Sequence, residues 1–71
     1  MHGTDDILKG KWEQLRGQLK YWWGELSDDE LDKVNGSREK LIGQLREKYG
    51  WTQERAESEV DRFIEGVRVP Q

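Results

Sequence analysis

Gly10-Lys-Trp-Glu-Gln-Leu-Arg-Gly-Gln-Leu-Lys-Tyr-Trp-Trp-Gly24 returns 26 residues later as Gly36-Ser-Arg-Glu-Lys-Leu-Ile-Gly-Gln-Leu-Arg-Glu-Lys-Tyr-Gly50. Seven of the fifteen aligned positions are identical: the three glycines, Glu13/Glu39, Leu15/Leu41, Gln18/Gln44 and Leu19/Leu45. Lys20/Arg46 and Trp23/Tyr49 keep their chemical type. A chain of 71 residues that repeats itself on this scale reads as two similar helical units.

Working outward from the repeat, the apolar residues recur at helical spacing. Leu8, Trp12, Leu15, Leu19, Trp22 and Trp23 fall in one arc of about 100°, the width of a core-facing stripe. They predict a first helix over 6–23, capped by Thr4, Asp5 or Asp6 and stopped by Gly24 in a left-handed position. Ser27-Asp-Asp-Glu30 reads as a capping box, with Leu26 and Leu31 as its hydrophobic staple, and predicts a short second helix over 28–35 closed by Gly36. A third helix over 38–49, capped by Ser37 and ended by Gly50, carries Leu41, Ile42, Leu45 and Tyr49 on one face. A fourth over 53–65 carries Ala56, Val60, Phe63 and Ile64, with Trp51 able to pack back on Leu45 and forward on Ala56. Gly66 and Pro70 close the chain. No segment alternates as a strand does, and connections of two or three residues favour close-packed helical hairpins.

The expected fold class is therefore all-α, a small four-helix array in which the repeat relates helix 1 to helix 3. One domain spans 1–71, with an ordered core over about 5–65 and loose ends at 1–4 and 67–71. The expected core is Leu15, Leu19, Trp23, Leu31, Val34, Leu41, Leu45, Tyr49, Val60 and Phe63. It must be thin: apolar residues are 32% of the chain against 38% charged, and mean hydropathy is −1.11. Four tryptophans, two tyrosines and one phenylalanine supply the large surfaces that make folding feasible.

Composition restricts function more than it assigns it. Without cysteine there is neither a disulfide framework nor a thiolate metal site. No apolar run is long enough for a membrane helix, and the first residues lack the basic start and apolar stretch of a signal peptide. His2, the one histidine, sits on the terminus, where no packed neighbours can hold it as a catalytic base. Asp28, Glu30, Asp32 and Glu39 fall at calcium-loop positions, but Lys33 stands where that loop needs glycine. The glycines recur every seven residues rather than clustering as a phosphate loop does. Gly17 and Gly43 fall mid-helix and opposite the apolar stripes. Either another helix or a partner approaches closely there, or the face is exposed and tolerates glycine.

Net charge is −3, with segment values of +1 over 1–24, −4 over 25–35, +2 over 36–50 and −2 over 51–71. Two readings follow: internal pairing between segments, or a basic patch made by the two repeats. Tyr21 points away from the apolar stripe. Together with Trp22, Arg16, Gly17, Lys20, Gly43 and Arg46 it marks a candidate interaction surface.

Lys9-Gly-Lys-Trp-Glu-Gln-Leu-Arg-Gly-Gln-Leu-Lys, Trp23-Gly-Glu-Leu-Ser-Asp-Asp-Glu-Leu and the phrase over 36–50 together resemble the CsbD-like bacterial general stress proteins. The resemblance runs from Asp5 to Phe63. It implies a small cytoplasmic protein induced under general stress, and a four-helix array of two roughly orthogonal hairpins similar to sterile-alpha-motif-like folds. It carries over no catalytic residue, and the family's molecular role is not established. Tyr21-Trp22 replaces the charged pair expected before Trp23, which adds apolar surface and leaves open a partner specific to this member.

The expectation is a non-enzymatic, monomeric protein without cofactor or metal, outside the membrane, acting on a protein partner. Two other classes are a nucleic-acid module using the basic residues of helices 1 and 3, and a hydrophilic, glycine-rich protectant acting in bulk under osmotic or water stress.

Overall fold

A computed structural model describes residues 3–68, all of whose regular structure is helical; the expectations for His2 and for Pro70 in the tail lie outside the described residues. There are five helices: α1 (Gly3–Gly10), α2 (Trp12–Trp22), α3 (Asp28–Val34), α4 (Arg38–Tyr49) and α5 (Gln53–Arg68). The single first helix expected over 6–23 is thus two, divided at Lys11 (φ −120°, ψ 23°). The cause is tertiary, because bending there lets Leu8 reach the same core as Leu15 and Leu19.

The helix ends show where local chemistry rules. Ser27 and Glu30 form the reciprocal capping box: the Glu30 N–H donates to the Ser27 hydroxyl at 3.2 Å, and the Ser27 N–H donates to Glu30 Oε1 at 2.9 Å. The Ser37 hydroxyl accepts from the Lys40 N–H and that of Thr52 from the Arg55 N–H, so α4 and α5 begin where their caps dictate. Gly50 ends α4 in the left-handed region at φ 69°.

Four other boundaries depart from the sequence pattern. α1 begins at Gly3, so Thr4, Asp5 and Asp6 lie inside the helix instead of capping one that starts at residue 6. Gly24 does not take up a left-handed conformation. α2 ends on Trp23 (φ −124°, ψ 88°), whose carbonyl accepts from the Leu26 N–H at 3.1 Å, so a turn that needs no positive φ makes the stop. The stop before Gly36 is already made by Asn35, left-handed at φ 45°. Gly36, at φ 85°, does something further: a Cβ there would lie 3.1 Å from the Lys9 Cα, so its bareness lets α1 seat on the α3–α4 junction. α5 continues through Gly66 to Arg68, because Val67 extends the buried stripe of Val60, Phe63 and Ile64 by another turn.

α4 lies between α3 and α5, and α1 rests on α2, α4 and α5. Of the expected core, Leu15, Leu19, Trp23, Leu31, Val34, Leu41, Leu45, Val60 and Phe63 are buried. Tyr49 is only half-buried, since its hydroxyl reaches out to accept from the Glu25 N–H at 3.3 Å. Leu8, Trp12, Leu26, Ile42, Ala56 and Ile64 complete the cluster. Phe63 is its centre, with the rings of Trp22 and Trp23 at 5.3 and 5.4 Å.

Ion pairs tie the layers at the surface. Arg16 and Lys20 of α2 reach Asp32 and Asp28 of α3, Lys48 of α4 reaches Glu30 of α3 at 2.6 Å, and Arg38 of α4 reaches Asp61 of α5 at 2.9 Å. Such partly exposed pairs set helix register more than they set stability. Lys48, helped by the Ser27 N–H, holds the Glu30 carboxyl below the usual carboxylate range, and Lys20 does the same for Asp28.

A Cβ at Gly17 or Gly43 would meet nothing within 4 Å, so no other helix of this chain closes on either. Gly17→Ala and Gly43→Ala are each expected to stabilise the fold by about 1 kcal/mol, read as a rise in the urea midpoint. Gly36→Ala is expected to lower it by about 1–3 kcal/mol through left-handed strain and the Lys9 contact. A carboxyl depressed in the folded state contributes stability that is complete above its unfolded pKa and is lost as pH falls through its folded one. The thermal midpoint of the wild type should therefore fall on acidification below about pH 4. Glu30→Gln should start lower at neutral pH and fall less steeply; parallel curves would remove the assigned role of the Glu30–Lys48 pair.

Candidate functional site

The last turn of α2 places two large aromatics outside the core. Trp12, Leu15, Leu19 and Trp23 follow each other at three- and four-residue steps and are buried. Tyr21 lies two residues off that stripe and is 91% exposed. Trp22, one residue off, shares the arc of the stripe by its angle but is 48% exposed. The reason is the end of the helix. Trp23 leaves the helical conformation and its own ring is buried, so Trp22 is left at the rim, edge-on to Phe63 and 6.2 Å from Trp23. Tyr21 and Trp22 are the exposed large hydrophobic residues among the described ones.

The cations expected beside them are not gathered into a patch. Arg16 donates to the Asp32 carboxylate and, at 3.4 Å, to the Asp28 carbonyl, while Lys20 meets the Asp28 carboxylate at 2.9 Å. The Asp32 hydrogen bond raises the Arg16 pKa further and keeps the guanidinium committed to α3. Arg46 turns to the α4–α5 connection, donating to the Trp51 carbonyl at 3.4 Å and to Gln53 Oε1 at 3.1 Å. The seven expected site residues thus divide. Arg16, Gly17, Lys20, Tyr21 and Trp22 belong to α2, whose cations face α3. Gly43 and Arg46 line a shallow depression on α4 together with Glu47, Gly50 and Trp51.

Trp51 is half-buried at that depression. Its ring stacks on Tyr49 with centroids 4.6 Å apart and planes at 15°, and the Arg55 guanidinium carbon lies 4.6 Å from its centroid. Sequence reasoning placed Trp51 against Leu45 and Ala56 and missed this stack. The signal available was Arg55 four residues after Trp51 and Tyr49 two before it.

Asp28, Glu30 and Asp32, read as possible calcium ligands, point at Lys20, Lys48 and Arg16 instead. Among the described residues no group of three or more His, Cys, Asp or Glu side chains could hold a metal, and no helix is long and apolar enough to cross a membrane. The Trp12 indole nitrogen and the Gln44 side-chain oxygen are buried without a hydrogen-bond partner. What this surface offers is aromatic and hydrogen-bonding contact.

Residues 6–58 match the family model described as CsbD-like. UPF0337 protein PA4738 of Pseudomonas aeruginosa is 53% identical over 60 residues, covering 84% of this chain and 92% of that protein. A UPF0337 protein of Bordetella pertussis is 49% identical over 62 residues, covering 87% and 94%. UPF0337 protein YjbJ of Escherichia coli is 42% identical over 58 residues, covering 82% and 84%. These names assign no activity, and no solved structure matches the chain significantly. With the family model matched over residues 6–58 and a relative 53% identical over 84% of its length, this chain belongs to the CsbD-like family.

Proposed function

We propose that the chain is a non-enzymatic general stress response protein of the bacterial cytoplasm, a monomeric domain over 1–71 that acts by binding another protein through the rim formed by Tyr21 and Trp22. The exposure of Tyr21 carries this reading. In a chain with so few apolar residues, an aromatic ring left 91% exposed beside a half-exposed tryptophan is the combination that dominates protein interfaces. Gly17, one turn before Tyr21 and open to solvent, gives a partner's backbone room to approach. In the same reading the helices form the two-hairpin, sterile-alpha-motif-like array expected of the family, with α1 and α2 together as one arm. The starts of α2 at Trp12 and α4 at Arg38, aligned by the repeat, support it. Commitment of Arg16 and Lys20 to α3 speaks against nucleic acid as the partner.

Affinity capture from stressed cells should retain a specific partner with the wild-type chain. Tyr21→Ala, which removes a ring lying outside the core, should weaken that capture by about tenfold or more with no change in thermal midpoint. Trp22→Ala should weaken it too and also cost stability, because it strips one face of Phe63. Capture that ignores Tyr21→Ala, or binding to nucleic acid whose affinity falls steeply with salt, would sink the proposal.

A further inference from the structure

Around its axis α2 divides into three sectors. Trp12, Leu15 and Leu19 face the core and are buried. Glu13, Arg16 and Lys20 fill a sector about 60° wide beside them, and Arg16 and Lys20 reach α3 from it. On the other side Gly17, Tyr21, Gln14, Gln18 and Trp22 follow one another over about 140°, all exposed and none charged. Lys11, the nearest charge along that side, lies outside the helix at its cap position. In a chain whose residues are 38% charged, a solvent-facing sector of this width without a charge sets α2 apart. The internal repeat supplies the comparison. Gln14, Gly17, Gln18 and Tyr21 align with Lys40, Gly43, Gln44 and Glu47 of α4. The glycine and one glutamine are kept, while the exposed lysine and glutamate of α4 are a glutamine and a tyrosine on α2. The two helices share a frame, and α2 alone carries it uncharged.

We propose that this sector receives an α-helix of the protein bound at the Tyr21–Trp22 rim, seated with an uncharged stripe and an apolar side chain over Gly17, an inference that rests on that rim being a protein-binding site. Gln14, Gly17, Gln18 and Tyr21 stand at the first, fourth, fifth and eighth places of a helical run. Four residues so spaced make the hole that a side chain of a facing helix fills. Gly17 deepens the hole, since nothing lies within 4 Å of the place its Cβ would take. Tyr21 forms one wall and continues into Trp22, so the rim and the hole are one surface. Charge fixes the chemistry of the occupant. Arg16 and Lys20 are committed to α3, so neither is free to neutralise an acidic side chain in the hole, and the sector holds no carboxylate to meet a basic one. A charged side chain seated there would be desolvated without a partner. An apolar one loses only water, and the Gln14 and Gln18 amides, each donor and acceptor, suit uncharged polar neighbours beside it. An added β-strand needs backbone partners, which the interior of a helix has already spent within itself, whereas a helix needs side-chain packing alone.

The test uses the full chain in stressed cells, with photoreactive benzoylphenylalanine as the probe at position 14 and, in the charged sector, at position 13. The probe at 14 should crosslink the captured protein, and the one at 13 should not. The crosslinked segment, made as a peptide, should bind the wild-type chain with a gain of helical far-ultraviolet signal. Its residue joined to position 14 should lie on a stripe without Asp, Glu, Lys or Arg. Gly17→Leu fills the hole, and a Cβ there meets nothing in the free chain, so peptide affinity should fall about tenfold or more with no loss of thermal midpoint. Gln18→Glu should weaken it as much by seating a charge without a partner. Glu13→Gln should stay within about twofold. No crosslink at position 14, a charged or extended segment, or affinity that ignores Gly17→Leu and Gln18→Glu overturns the docked helix. If Tyr21→Ala still weakens binding in that case, the rim stands as a binding site without the helix. Binding that ignores Tyr21→Ala as well removes both.

Discussion

Leu8 reaches the core because the helix that carries it is broken at Lys11, and the rest of the structure follows from that need to converge. A chain of 71 residues has material for one core, and its apolar stripes must all meet there. A straight helix through α1 and α2 would be about 30 Å long, as long as the longest dimension of the fold. Bending at Lys11 brings Leu8 in with Leu41, Val60 and Phe63, and the bare Gly36 accommodates the α1 backbone that arrives with it. Breaking a helix without a cap is a local cost, and the burial of Leu8 outweighs it.

The charges obey the same need to converge. α3 is acidic enough to look like a binding loop, but its carboxylates occupy the cations of its neighbours: Asp28 and Asp32 hold Lys20 and Arg16 of α2, and Glu30 holds Lys48 of α4 while also completing its own helix cap. The alternation of sign along the chain is therefore in part an internal lacing of helices. The distinctive outward chemistry that remains is aromatic, at Tyr21 and Trp22, and glycine-bare, at Gly17 and Gly43. Membership of the CsbD-like family spans the helices from α1 into α5 that carry this lacing.

Much of this was legible in the amino-acid order. The caps at Ser27 and Ser37 and the left-handed stop at Gly50 are local hydrogen-bonding and steric facts, so the residues alone announce them. Helical period likewise picked out Leu15, Leu19, Leu31, Leu41, Leu45 and Phe63 as interior, since each lies mid-stripe where any packing buries it. At the candidate site the outward direction of Tyr21 was readable from its angle on the helix. Trp22 was readable only in part: its angle put it in the apolar arc while it was also named on the candidate surface, and its half exposure depends on Trp23 leaving the helix and taking the inward place. Trp51 was legible as a residue between two helices, but its stack with Tyr49 and Arg55 depends on how the chain turns at Gly50.

The sequence by itself determined which segments are helical, where capped ends fall and which faces are apolar, because each of these is settled within a few residues by hydrogen bonding, sterics and period. Only the tertiary structure decided that the first amphipathic stretch is two helices, that Gly36 serves a neighbouring helix, and that Arg16 and Lys20 are committed to α3. Those outcomes join residues far apart in the chain, and they arise when several stripes compete for one small core: packing then overrides the local preference for a continuous helix, and helices brought side by side choose which charges meet.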